Sequence, residues 1–188
     1  MRIVGGKFRG KILKAPEGTD LRPTSDRARE SIFNILAHGK AAVDLDGITV
    51  ADFYCGTGAL GLEAMSRGAA FGVFADRNPA HLKIARDNAA AMGLWRECLM
   101  LGLDCSNLAV PPRAVKQPAN LVFMDPPYGH GLADPTLRGL LNKNWLAPGA
   151  IVVVEISAEE NLRGTRGFTL LDERSYGAAK VYFLKKSE

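Results

Sequence analysis

The most specific chemistry in this sequence lies in four consecutive residues, Asp125-Pro126-Pro127-Tyr128, which follow the apolar run Leu121–Met124. Prolines cannot continue a central strand, so the chain leaves the sheet here in a rigid, extended form. An aromatic amine is a poor nucleophile because its lone pair is delocalised into the ring. Two fixed acceptors, the Asp125 carboxylate and the Pro126 carbonyl, can hold its two hydrogens, weaken that delocalisation and aim the lone pair at an electrophilic methyl carbon. Rate enhancement then comes from positioning and preorganised electrostatics. Tyr128 offers a flat face on which a base swung out of its helix or loop can stack. In isolation the segment also reads as an ordinary proline-rich turn with a half-buried tyrosine; its place after a cofactor loop argues for chemistry.

That loop is Asp52-Phe53-Tyr54-Cys55-Gly56-Thr57-Gly58-Ala59-Leu60-Gly61. Gly56, Gly58 and Gly61 make a GxGxxG pattern between a strand and a helix, where glycines permit a tight turn and close approach of the backbone to a ligand. Dinucleotide enzymes share the pattern. Two acids favour a different adenosine cofactor. Asp76 ends the next strand, where a carboxylate accepts both ribose hydroxyls; a helix N-cap is its bland role, which Asn78 could equally fill. Asp52, four residues before the first glycine, can take the ammonium of a methionine moiety, which nicotinamide cofactors lack. Asp104, after the third strand, either accepts an adenine amino group or makes a local turn hydrogen bond.

The elements that must position these residues follow from apolar periodicity. Short apolar runs at Ile48–Tyr54, Phe71–Ala75, Cys98–Leu103, Leu121–Met124 and Ile151–Ile156 alternate with helical patterns near Leu60–Arg67, Pro79–Met92 and Pro135–Trp145. That order predicts a parallel sheet covered on both faces. The Pro-rich segment after Leu103 is a poor helix. Thr169–Glu173 and Lys180–Leu184, around Tyr176-Gly177, predict a closing hairpin. A further helix starts after Pro23, with Thr24 or Ser25 as its cap, and ends at Gly39. Before it, Ile3-Val4 and Ile12-Leu13 flank a Gly- and Lys-rich turn and predict a basic hairpin. We therefore expect a hairpin extension over residues 1–22 and a catalytic domain over 23–188.

Charge is unevenly distributed. Residues 1–40 hold nine Lys/Arg against four acids, and residues 41–188 hold fifteen against sixteen. A basic element on a neutral body is the footprint of a polyanion binder, although a solvated basic terminus has the same composition. Arg2, Lys7, Arg9 and Lys11 are the candidate phosphate contacts, with Arg22 and Thr24 near the mouth of the site. Arg27 and Arg29 fit a solvated helix face as well as RNA contact. The three cysteines form no CxxC pair, which points to free thiols in a reducing cytoplasm and to no structural metal. No apolar run approaches the roughly 20 residues a membrane span requires, and the N-terminus lacks the apolar core of a signal peptide.

Nearly the whole chain resembles the class I methyltransferases and, more closely, the bacterial family that methylates guanine N2 in 16S ribosomal RNA. The resemblance rests on Arg2–Lys11, Leu21–Leu36, Asp52–Gly61, Asp76-Arg77-Asn78 and Asp125–Tyr128. It implies a Rossmann-like α/β fold, with a seven-stranded, mostly parallel sheet and an antiparallel last strand. It also implies S-adenosyl-L-methionine as cofactor, bound by Asp52, Tyr54, Gly56, Gly58, Asp76, Arg77 and Asp104, and ribosomal RNA in an assembled or assembling 30S subunit as substrate. The expected enzyme is a monomer. Tyr128 stands where several relatives carry phenylalanine, and stacking survives either way. Adenine-N6 methyltransferases share Asp-Pro-Pro-Tyr, so the tetrapeptide leaves open which amine is methylated; for a DNA enzyme, 188 residues leave no room for a separate reading domain. A non-catalytic RNA-binding relic of the fold is opposed by the intact acids, and a dehydrogenase by the lack of a hydride-transfer constellation.

Overall fold

A computed structural model describes residues 1–16 and 25–187. Arg22 and Thr24, and with them the expected junction of extension and catalytic domain, lie outside the described residues. The first helix, α1 (Asp26–His38), is capped by Ser25, whose side chain accepts from the Ala28 amide at 3.1 Å, and it stops at Gly39. Seven strands follow: β1 (Thr49–Phe53), β2 (Phe71–Asp76), β3 (Cys98–Gly102), β4 (Ala119–Met124), β5 (Leu146–Ser157), β6 (Phe168–Tyr176) and β7 (Ala179–Lys186). Between them lie α2 (Ala59–Ser66), α3 (Pro79–Ala91) and α4 (Ala133–Asn142).

The sheet order is β3-β2-β1-β4-β5-β7-β6. Strands β1 to β5 run parallel, and β7 is antiparallel to both of its neighbours. The expected Rossmann-like α/β architecture, a seven-stranded, mostly parallel sheet with an antiparallel last strand, is therefore present. Strand order reverses between β1 and β4, and a crevice for ligand opens at such a switch point, beyond the strands' C-terminal ends. Alternation along the strands sends side chains to opposite faces. Leu121 and Phe123 pack with Ile32, Phe33 and Leu36 of α1, while Val122 and Met124 pack with Leu137 and Leu140 of α4.

The segment after β3 is irregular, as its Pro-rich composition predicts, and two further details depart from periodicity. No helix follows β3; Leu108 and Val115 of the irregular segment cover part of the α4 face instead, and Ala109 accepts from the Trp145 indole at 2.8 Å. Helix α4 ends three residues earlier than its pattern predicts, because Asn144 turns the backbone to a positive φ of 61°. Strand β5 extends back through Pro148, which is tolerated because the β4–β5 register shifts at that point. No described helix is long and apolar enough to cross a membrane.

The basic N-terminal segment folds as a short hairpin with one bridge, Arg2 to Ile12. It is built into the body. Ile3 and Leu13 are buried against Leu62, Phe74 and Leu82. Glu63, fully buried in α2, accepts from the Val4 amide at 2.8 Å and from Arg67 Nε at 2.8 Å, and Ser66 bonds the backbone of Phe8 and Gly5. Removing one side of a buried charged pair strands the other, so Glu63→Ala is expected to destabilise the fold by about 3 kcal/mol. Urea unfolding measures the loss, and limited proteolysis should show earlier cutting in the first 16 residues.

Candidate active site

The turn after β1 is shaped by what lies under it. Tyr54 takes a positive φ of 60° and Gly58 one of 77°, and the chain passes from strand to helix within five residues. Gly61 is required by packing: a Cβ there would lie 2.5 Å from the Phe74 ring. Asp52 is 2 % exposed and lies beneath the turn, its Oδ2 accepting from the Gly61 amide at 2.9 Å. Burial, opposed only in part by that bond, pushes its carboxyl up to about 8, with Asp76 adding a smaller push. Asp52 thus braces the loop from below. Gly56 and Gly58 are buried in the same turn.

Asp76 holds the far side. Its Oδ2 accepts from the Gly56 amide and lies 3.1 Å from His81 Nδ1, and its Oδ1 accepts from the Asn78 amide at 2.8 Å. Asn78, not Asp76, caps α3, its side chain accepting from Ala80 at 2.9 Å. Asp104 makes a tight turn with Ser106, accepting from its amide and hydroxyl at 2.9 and 2.6 Å. Those bonds hold its carboxyl below the usual range. Local turn and cleft wall are both true of Asp104: with Tyr54, Asp76, Arg77 and Ser106 it lines a cleft of about 600 Å³, a size common among small-molecule sites. Tyr54 is steadied by a 2.8 Å bond between its hydroxyl and Thr136 of α4.

The opposite wall of the cleft is Asp125, Pro126, Pro127 and Tyr128. Asp125 keeps some solvent access at the wall, yet the surrounding protein desolvates its carboxyl, and Glu155 and Asp52 add like charge. Its pKa is held well above the ordinary value of 3.8. Val154 of β5 pairs with Met124 of β4, so Asp125, just past β4, and Glu155, still within β5, stand side by side. The Tyr128 hydroxyl donates to Glu155 Oε1 at 2.8 Å, so it does not simply face solvent, while 37 % of the residue stays exposed.

The tetrapeptide and the acids Asp76 and Asp104, widely separated in sequence, thus face one another. The basic residues are elsewhere. Arg2, Lys7, Arg9 and Lys11 are all exposed on the hairpin, with Arg2 paired to Asp26 at 3.4 Å and Lys7 over the Phe8 ring. Arg29 is no part of a solvated face. It is fully buried, bonding the Arg2 carbonyl and pairing with Asp26, because α1 turns that side toward the hairpin. Arg27 is exposed.

Sequence reasoning missed Glu155, His81, Ser106 and Asn88. For Glu155 the signal was available: an acid interrupting the apolar run Ile151–Ile156 at its C-terminal end. Asn88 gave none, being one polar residue in a helix. It is buried, and its Nδ2 donates to the Lys14 and Thr57 carbonyls at 3.1 and 3.0 Å while its Oδ1 accepts from the Lys14 amide. It ties the N-terminal segment to the glycine turn.

The family described as Conserved hypothetical protein 95 matches residues 1–185. The chain is 37% identical over 162 residues to ribosomal RNA small subunit methyltransferase D of Escherichia coli K12, covering 86% of this chain and 77% of that protein. The chain belongs to the ribosomal RNA small subunit methyltransferase D family. Putative rRNA methyltransferase YlbH of Bacillus subtilis is 29% identical over 187 residues, 99% of each chain. Among solved structures, putative methyltransferase yhhF from Escherichia coli superposes with a TM-score of 0.82 at 31% identity, over 100% of this chain and 98% of that one.

The raised Asp52 carboxyl has a consequence for this methyltransferase's stability. Between pH 3.8 and about 8, the folded state holds a proton at Asp52 that the unfolded state has lost, so this group's contribution to stability falls as pH rises. Asp52→Asn keeps an acceptor for Gly61 but cannot ionise. Between pH 5.5 and 8 the variant is expected to lose less stability than the parent, by on the order of 2–3 kcal/mol, read as the difference between their urea unfolding curves.

Proposed function

We propose that this S-adenosylmethionine-dependent ribosomal RNA methyltransferase modifies the exocyclic N2 amine of a guanine in 16S rRNA. It acts as a cytoplasmic monomer on a 30S subunit or an assembly intermediate. The observation that carries the reading is the cleft itself, in which the rigid Asp125-Pro126-Pro127-Tyr128 wall faces Asp76 and Asp104 across about 600 Å³.

The residues present fit the cofactor. Its charge is positive at the sulfonium, and acids converge on the cleft. Asp76 keeps acceptor capacity for ribose hydroxyls beside the bonds it makes to the turn. Asp104 and Ser106 would meet the adenine edge with Arg77 and Tyr54 beside it, and the Asp52 carboxyl, which braces the glycine turn, would serve the methionine end. When bound, S-adenosylmethionine supplies an electrophilic methyl group on sulfur.

Asp125 and the Pro126 carbonyl then accept one amine hydrogen each. Pro127 keeps the segment extended, and the Tyr128 ring stacks on the base. The exposed Arg2, Lys7, Arg9 and Lys11 of the hairpin supply phosphate contacts away from the reacting base.

Deleting the gene and mapping methylated bases in 16S rRNA should show the loss of one N2-methylguanosine. Loss of an N6-methyladenosine instead would assign the tetrapeptide to the adenine reaction. In the purified protein, Asp125→Ala is expected to lower kcat on hypomethylated 30S particles by about 10²- to 10³-fold, the usual cost of losing one preorganised hydrogen-bond group. Mass analysis of the product nucleoside checks both results. Full activity in a folded variant would refute the role given to Asp125.

A further inference from the structure

On the far side of Tyr128 a second groove opens, with a volume of about 620 Å³. Arg27 and Ser31 of α1 form one wall and Tyr176–Ala179, in the β6–β7 turn, form the other. Ser31 and Tyr176 are joined across it by a 2.8 Å hydroxyl contact. Tyr128 and Glu155 close the end next to the reaction cleft, and Tyr128 lines both spaces. Glu155 follows Val154, the register partner of Met124, so its side chain leaves the sheet beside Asp125. One of its oxygens is fixed by the Tyr128 hydroxyl at 2.8 Å.

We infer that Glu155 is the residue that selects guanine over adenine, its carboxylate accepting the N1–H of a base whose exocyclic amine is presented to Asp125 and Pro126. The inference rests on the guanine-N2 reading above and deepens it. Guanine carries a hydrogen on N1, immediately beside its C2 amine. Adenine presents a bare N1 lone pair beside its C6 amine. A carboxylate next to the amine-holding pair makes a charge-assisted hydrogen bond to the first base and sets lone pair against lone pair with the second. A site built around a substrate's donor rejects the analogue lacking it more strongly than an apolar pocket rejects a missing methylene. The tetrapeptide accepts either amine; Glu155 supplies the distinction it lacks. A carboxylate's two oxygens take several donors at once, so an N1–H adds to the contacts Glu155 already makes, of which the Tyr128 hydroxyl bond orients it while the same ring offers its face to the base. The groove beyond, bordered by exposed Arg27, has room for the nucleotide's sugar and phosphate.

2-Aminopurine separates the two features, because it has guanine's C2 amine and no hydrogen on N1. The test uses 30S particles reconstituted with guanine or 2-aminopurine at the methylated position. The parent enzyme is expected to prefer guanine in kcat/KM by roughly 10- to 100-fold, the range of a single charged hydrogen bond. Glu155→Gln, whose amide can donate to a bare N1 as well as accept from N1–H, is expected to collapse that preference, with thermal melting and S-adenosylmethionine affinity unchanged. Equal use of the two bases by the parent enzyme would overturn the inference, and so would a Glu155→Gln variant that loses activity on both in the same proportion. 2-Aminopurine also lacks guanine's O6, so the assignment to Glu155 is read from a variant. If Glu155→Gln fails to fold, Glu155→Ala, which removes the acceptor, is expected to collapse the preference in the same way, and an unchanged preference would overturn the inference. Methylation of an adenine in natural particles would refute the guanine reading instead, a result distinct from guanine methylation without discrimination at N1.

Discussion

The C-terminal edge of the sheet is organised around two carboxyl groups on adjacent parallel strands, Asp52 in β1 and Asp125 just past β4. Desolvation pushes both up, and each feels the charge of further acids, Asp76 in the first case and Glu155 in the second. Holding acids this close together is unfavourable in a protein with nothing to bind there. The glycine turn relieves part of the cost by aiming the amides of Gly56 and Gly61 at Asp76 and Asp52. The tight turn, the positive φ values and the packing that demands Gly61 all follow from bringing backbone N–H groups within reach of carboxylates that cannot move.

That turn needs an anchor on its outer side, and the N-terminal segment provides it. Ile3 and Leu13 complete the cluster around Phe74, the same ring that Gly61 packs against. Asn88 then bonds Lys14 and Thr57 together. The basic residues on the hairpin are therefore fixed relative to the cofactor turn. A phosphate held at Arg9 or Lys11 has a defined position with respect to the reaction cleft, as a tethered, independent arm would not give it.

Much of this was legible in the residues. The alternation of apolar runs and helical patterns, the proline exit after β4 and the glycine turn after β1 are local signals, and local signals survive without a structure. The switch point brings Asp76, Asp104 and Asp125 together as α/β topology requires. What could not be read depends on contacts between distant positions. Glu63 and Val4 are 59 residues apart, and Asn88 and Lys14 are 74 apart. Arg29 has the spacing of an exposed helical charge, and only the docking of the hairpin buries it. Glu155 is an intermediate case: its position in a strand was readable, but its partner Tyr128 came from register, since β4 and β5 must align at Met124 and Val154 before the two side chains meet.

Register also explains how one tetrapeptide serves two spaces. Asp125 and Pro126 face the acid-lined cleft, while Tyr128, three residues on, turns its hydroxyl to β5 and its ring toward solvent. Were β5 shifted by one residue, Glu155 would point to the opposite face of the sheet and Val154 or Ile156 would stand beside the amine. The antiparallel β7 guards against that slip: it pairs with β5 continuously from Ile151 to Ser157, including Glu155 with Val181. It also begins at the turn that forms the groove's outer wall. The reversed last hairpin therefore holds Glu155 and its partner Tyr128 in register with Asp125, a task separate from closing the sheet edge.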